Sequence, residues 1–130
     1  MRTDAQASGD DAESEVAAGL ARQGWTIMAR NLRVGRGELD IVAVDPGPPA
    51  ELVVVEVRWR RSRAFGLAEE SIDHRKRAHL RAAIGRLLED GLPNVGRLPP
   101  LPIRVDLVVV EPPIAPGESA RIRHHRAIPL

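Results

Sequence analysis

Asp40 in GELDIVAV and Glu56 in VVVEVRWR are acids set inside aliphatic runs. Carboxylates in such positions do work that Val or Ile cannot do, such as holding a cation or accepting a proton. Side chains alternate faces along a strand, so Asp40 shares a face with Val42 and Val44, and Glu56 with Val54, Arg58 and Arg60. A hairpin symmetric about DPGPPA pairs Val44 with Leu52, and the same register sets Asp40 opposite Glu56 and Glu38 opposite Arg58. Directly opposed carboxylates have Cβ atoms about 4.5–5.5 Å apart and repel each other. Two remedies are open: a hard divalent cation, Mg²⁺ or Mn²⁺, between the oxygens, or an arginine pairing with each acid at the sheet edge.

Other residues could join that chemistry. The 19 basic residues include one lysine, Lys76. Helical spacing puts it on one stripe with Ile72, Leu80, Ala83 and Leu87, facing the sheet, where an ammonium needs a partner. Lys76 is therefore expected to reach the Asp40/Glu56 pair, to snorkel to solvent, or to pair with a structural acid such as Asp106. Asp106, in IRVDLVVV, is expected to form an ion pair supporting the site. His74, His79, His124 and His125 have neither metal-ligand spacing nor cysteine partners, so solvated or structural roles are expected. GRG at 35–37 precedes a strand and fits a turn, not a dinucleotide fingerprint.

The elements that must position these groups follow from periodicity and punctuation. A helix is predicted over about 11–23, with Val16, Ala17, Leu20 and Ala21 on one stripe and Gly24 as its stop; the first ten residues predict a disordered tail. Three strands follow, WTIMARNLRV, LDIVAV and ELVVVEVRWR, the last two joined by a proline-rich loop. A helix from Asp73 to Asp90 has Asp73 as N-cap and Gly91 just past its end. IRVDLVVVE and RIRHHRAI complete an α-β-β-β-α-β-β order, which predicts an α/β domain with a central mixed sheet flanked by helices.

Bulk properties narrow the class. A chain of 130 residues accommodates one domain. With 43% hydrophobic and 28% charged residues it fits a soluble globular protein. The absence of cysteine excludes disulfides and thiolate zinc sites. Neither a signal-peptide core nor a membrane-spanning apolar run is visible, so a cytoplasmic location is expected. Basic residues cluster between 56 and 86, where Arg60, Arg61 and Arg63 could meet a phosphate backbone. Two Trp, one Phe and no Tyr leave little for base-stacking platforms.

GELD followed by VEVRWR resembles the GEID…FVEVKxR pattern of the UPF0102 or YraN-like family, whose core is similar to PD-(D/E)xK nucleases and archaeal Holliday-junction resolvases. The likeness extends to ARQGWTIMARNLR, FGLAEESIDHRKRAHLRAAIGRLL and IRVDLVVV, covering about residues 12 to 127. It implies a restriction-endonuclease-like single domain over 11–130. Asp40 and Glu56 would be metal carboxylates, the Val57 carbonyl a further oxygen ligand, and Glu13 on the first helix, in preference to Glu15, would complete the site. The implied activity is Mg²⁺- or Mn²⁺-dependent hydrolysis of DNA, extended by the resolvase likeness to branched or structured DNA and to a homodimer. The chain departs from the pattern at Arg58, which stands where the family has lysine. Arginine binds phosphate and stabilises developing charge but cannot act as a base. The alternative expectation is a nucleic-acid-binding or assembly module with weak or lost cleavage. Lys76 is the ammonium that could stand in, and catalytic roles are expected for Asp40, Glu56, Arg58 and Lys76.

Overall fold

The computed structural model describes residues 4–60, 72–93 and 95–130, with side chains of the first helix from Asp11 onward. Helix α1 spans Asp4–Arg22 and buries Val16, Ala17 and Leu20 of the stripe that periodicity marked, together with Ala12, whereas Ala21 is exposed. It begins earlier than the predicted 11, a start that periodicity does not mark because residues 4–11 carry no apolar stripe. Gly24, at φ 94, ends it: Trp25 N–H donates to Leu20 O at 3.1 Å and Gly24 N–H to Ala21 O at 3.0 Å, closing the last carbonyls in a Schellman arrangement.

Strands β1 (Thr26–Val34), β2 (Gly37–Asp45) and β3 (Glu51–Trp59) form an antiparallel meander. The β1–β2 turn has Gly35 at φ 59 in its first central position, a conformation that glycine adopts without Cβ strain. Helix α2 (His74–Asp90) carries the chain to β4 (Ile103–Glu111), parallel to β3, and β5 (Arg121–His125) returns antiparallel to β4. The sheet order is β1-β2-β3-β4-β5. Both ends of α2 fall where cap chemistry predicts: Asp73 Oδ1 accepts from Lys76 N–H at 2.9 Å, and Gly91 at φ 72 donates its N–H to Leu87 O. A Cβ on Gly91 would lie 2.4 Å from Gly96 O, so the close return of that loop requires glycine.

Strand parity distributes the core. Ile41, Ala43, Val53 and Val55 pack with α1, whereas Val42, Leu52 and Val54 pack with Leu80, Ala83, Ile84 and Leu87 of α2. Each fully buried Val or Leu contributes about 1.5–3 kcal/mol, so both faces of the sheet hold a helix firmly. The result is an α/β domain of three layers, with a five-stranded mixed sheet and the α-β-β-β-α-β-β order of a restriction-endonuclease-like fold. Among the described residues no helix is long and apolar enough to cross a membrane.

Candidate functional site

The β2–β3 ladder follows the predicted register, with Val44 opposite Leu52, but its last pair is Ile41 with Val55. Asp40 and Glu56 therefore lie just beyond the last β2–β3 pair and do not face each other as a ladder pair, although Glu56 remains paired with Leu107 of β4. Glu38 is the Cα partner of Arg33 on β1, not of Arg58. The break coincides with irregular backbone on the neighbouring strand. Asn31, on β1 at the level of Asp40, has φ 49, and Leu39 packs on the α2 side, although it is two residues from Ile41, which packs with α1. Where the ladder ends, Asp40 Oδ2 accepts the Val57 N–H at 2.8 Å, taking the place of a strand carbonyl. Both backbone polar groups of a strand residue face the same edge, so the Val57 carbonyl also faces the gap beside Asp40.

Burial of Asp40 and the charge of Glu56 push its carboxyl up to about 7, with Glu13 adding to the rise; the Val57 N–H and the Lys76 ammonium oppose it. Glu56 itself is 4% exposed. Lys76 Nζ stands 3.1 Å from Glu56 Oε1, and Arg58 NH2 is 3.5 Å from the same oxygen. The lysine does reach from the first turn of α2 to the carboxylate pair, as its stripe position allowed, and it does not pair with Asp106. Arg58 keeps donors to spare: its buried Nε has no hydrogen-bond partner.

Glu13, buried on α1, is near enough to Asp40 to raise its pKa, and its Oε1 lies 3.5 Å from Arg30 Nε. Arg30 also donates to Ser14 Oγ at 3.0 Å. Arg30 is a site residue that the sequence did not single out; its signal is its place in ARNLR, one strand away from Asp40. Glu15 is exposed. Arg60 follows β3 and is half-buried, its N–H donating to Val110 O at 2.9 Å; Arg61 and Arg63 lie outside the described residues.

The donor set suits a hard cation: two carboxylates, one held up by the other's charge, with a backbone carbonyl facing the same gap. Among the described residues no three His, Cys, Asp or Glu side chains are already grouped to hold a metal ion. The oxygens that could hold a hard cation such as Mg²⁺ or Mn²⁺ are those of this pair and the Val57 carbonyl.

Asp106 belongs to a different network. It is fully buried, with Arg104 Nε at 3.0 Å, His124 Nε2 at 2.8 Å and the Ala127 N–H at 2.9 Å. Arg104 continues to Asp45 at 2.9 Å and Glu51 at 3.0 Å, and its guanidinium lies over the Trp25 ring at 5.4 Å. The expected ion pair is present, but its partners belong to the end of the sheet where β2 finishes and β3 begins, and none of them touches Asp40 or Glu56. His124 is structural, as expected.

Residues 12–110 match Uncharacterised protein family UPF0102, a span that takes in α1 from Ala12, the whole carboxylate site and most of β4. A UPF0102 protein of Roseiflexus castenholzii is 44% identical over 103 residues, covering 78% of this chain and 77% of its own. One from Symbiobacterium thermophilum is 38% identical over 115 residues, covering 88% and 87%, and one from Pseudomonas paraeruginosa is 39% identical over 110 residues, covering 85% and 82%. The chain belongs to the UPF0102 family.

Proposed function

We propose that the protein is a divalent-metal-dependent endonuclease that hydrolyses phosphodiester bonds of DNA, with branched or structured DNA as its substrate class. The observation that carries this reading is a buried carboxylate pair flanked by two cations: Glu56 Oε1 has Lys76 and Arg58 beside it, next to an Asp40 pushed up to about 7. Structural ion pairs neutralise acids one to one. Here both cations stand at one oxygen of Glu56, while burial and the Glu56 charge raise the Asp40 carboxyl above the ordinary carboxylate range.

In this reading Asp40, Glu56 and the Val57 carbonyl hold Mg²⁺ or Mn²⁺, with Glu13 adding negative charge from α1. The bound cation would acidify the attacking water and neutralise charge on the phosphate. Lys76 and Arg58 donate to the non-bridging oxygens, where negative charge accumulates as the water oxygen bonds to phosphorus and one ester P–O bond breaks. Arg58 is restricted to that electrostatic role, because a guanidinium does not release its proton. Lys76, an ammonium on a flexible stem, takes the place that the family's lysine holds on the strand.

The test is to incubate linear, nicked and four-way-junction DNA with Mn²⁺ or Mg²⁺ and the wild-type, Glu56→Gln and Lys76→Ala proteins. Cleavage is expected to fall about 100-fold or more in Lys76→Ala, the scale of removing one transition-state donor, and to vanish in Glu56→Gln. Products that persist in Glu56→Gln would mark a contaminating activity, and full activity in Lys76→Ala would remove that residue from the mechanism. Arg58 favours a second reading, a binding or assembly module with lost cleavage. Binding without cutting, indifferent to metal, would establish that one. A homodimer matches the first reading on symmetric junctions and is checked by sedimentation with and without DNA.

A further inference from the structure

A hollow of about 300 Å³ lies between the β1–β2 turn and α2, lined by Val34, Arg36, Lys76, His79, Ala82 and Arg86 among others. A second, of about 140 Å³, shares Val34, Gly35 and Arg86 with it and runs on to Arg33, Asp90 and Gly91. Together they form a groove along α2 from Lys76 to Gly91, roughly 20 Å at 1.5 Å per helical residue. At its upper end stands Lys76, whose ammonium is 3.1 Å from Glu56, so one side chain borders both the groove and the carboxylate pair. The exposed walls carry Arg33, Arg36, His79 and Arg86 against Glu38 and Asp90, and Asp90 is already engaged by Arg86 at 3.0 Å. The floor, Val34, Leu80 and Ala83, is aliphatic.

We propose that this groove receives a single unpaired nucleic-acid strand leading away from the phosphate at the carboxylate pair. The inference rests on the nuclease reading for where that phosphate sits. A hollow of about 300 Å³ is at the lower limit of small-ligand sites and has room for one nucleotide at a time, not for a stacked base pair. The aliphatic floor offers the bases a surface but no ring to stack on. Affinity therefore comes mainly from Arg33 and Arg36 on the phosphates, with Arg86 shared with Asp90, and it falls with salt. An enzyme built this way selects DNA with an unpaired strand beside the cut, such as a flap or an overhang, over plain duplex and over the fully paired arms of a four-way junction.

The groove is tested without cleavage, by fluorescence anisotropy of a labelled eight-residue oligothymidylate and of a duplex of matched length, in EDTA over a range of salt. Ala82 is exposed on α2, so Ala82→Phe fills the groove without entering the core. It is expected to weaken single-strand binding about tenfold or more and to leave duplex binding within twofold. Arg36→Glu, on the exposed turn, is expected to weaken single-strand binding similarly and to lower the salt slope by about one phosphate contact. Single-strand binding that is unchanged in both variants, or wild-type protein that prefers the duplex, overturns the proposal. The two readings separate cleanly. Junction cutting with unaltered oligonucleotide binding in Ala82→Phe removes the groove and keeps the nuclease. Groove-dependent binding with no cutting in Mn²⁺ keeps the groove and removes the nuclease.

Discussion

Asp40→Asn is expected to stabilise the metal-free protein at pH 8 and to abolish metal-dependent cleavage in the same molecule. Asp40 ionises near 7 in the folded protein, above its ordinary 3.8, because burial and Glu56 disfavour its charge. The folded state therefore holds this proton more tightly than the unfolded chain. Its contribution to stability is full below about pH 4 and is lost as the pH rises towards 7. Asparagine keeps an oxygen for the Val57 N–H and carries no charge, so its advantage over the wild type should be absent at pH 4, grow between 4 and 7 and level off above. With about 1.4 kcal/mol per pKa unit, a gain on the order of 1–3 kcal/mol is expected, several degrees in Tm. Melting in EDTA at pH 4, 6 and 8 measures it. Adding Mn²⁺ at pH 8 should raise the wild-type Tm and leave Asp40→Asn unmoved, since a cation between the carboxylates relieves the same repulsion. A variant less stable than the wild type at pH 8 would mean that Asp40 is a structural acid and would take the metal site with it.

How far the site could be read in advance depended on whether its causes were local. The ends of α2 were visible because Asp73 and Gly91 act on their own backbone neighbours, and Lys76 was visible because a 3.6-residue stripe passes through it. The pairing of Val44 with Leu52 followed from symmetry about DPGPPA. The ladder's early end did not follow, because the irregular backbone it coincides with, at Asn31, lies in another strand, and parity carried past that point put Asp40 directly opposite Glu56. Arg30 beside Glu13, and Arg36 beside His79 and Arg86, are meetings of residues distant in sequence, set by how the β1–β2 hairpin lies against the helices. The GRG turn was legible as a turn; that it forms one wall of a basic groove depends on α2 lying alongside it.

Asp106 produces the same sequence signal as Asp40 and Glu56, an acid within a valine-rich strand, and its substitution separates the two kinds of buried acid. Burial alone would push its carboxyl up, yet the hydrogen bonds from His124, Arg104 and the Ala127 N–H outweigh that and hold it at about 2. Its charge is therefore wanted by the fold, whereas that of Asp40 is not. Asp106→Ala removes the counter-charge from Arg104, whose side chain is only 10% exposed, and leaves the Ala127 N–H without its acceptor. Breaking a buried pair from one side costs about 3–5 kcal/mol, a large share of a domain's total stability. The urea midpoint at pH 7 should fall accordingly. Because the Asp106 carboxylate is depressed, the wild type loses this stabilisation only as the pH drops from about 4 towards 2, so the two proteins should converge in acid. At a temperature where both are folded, Asp106→Ala should cleave DNA at the wild-type rate, since none of its partners touches Asp40 or Glu56. A midpoint unchanged within about 0.5 kcal/mol would show that Arg104 is satisfied by Asp45 and Glu51 alone. Lost cleavage in a fully folded variant would tie the two ends of the sheet together and make the Asp106 network part of the site.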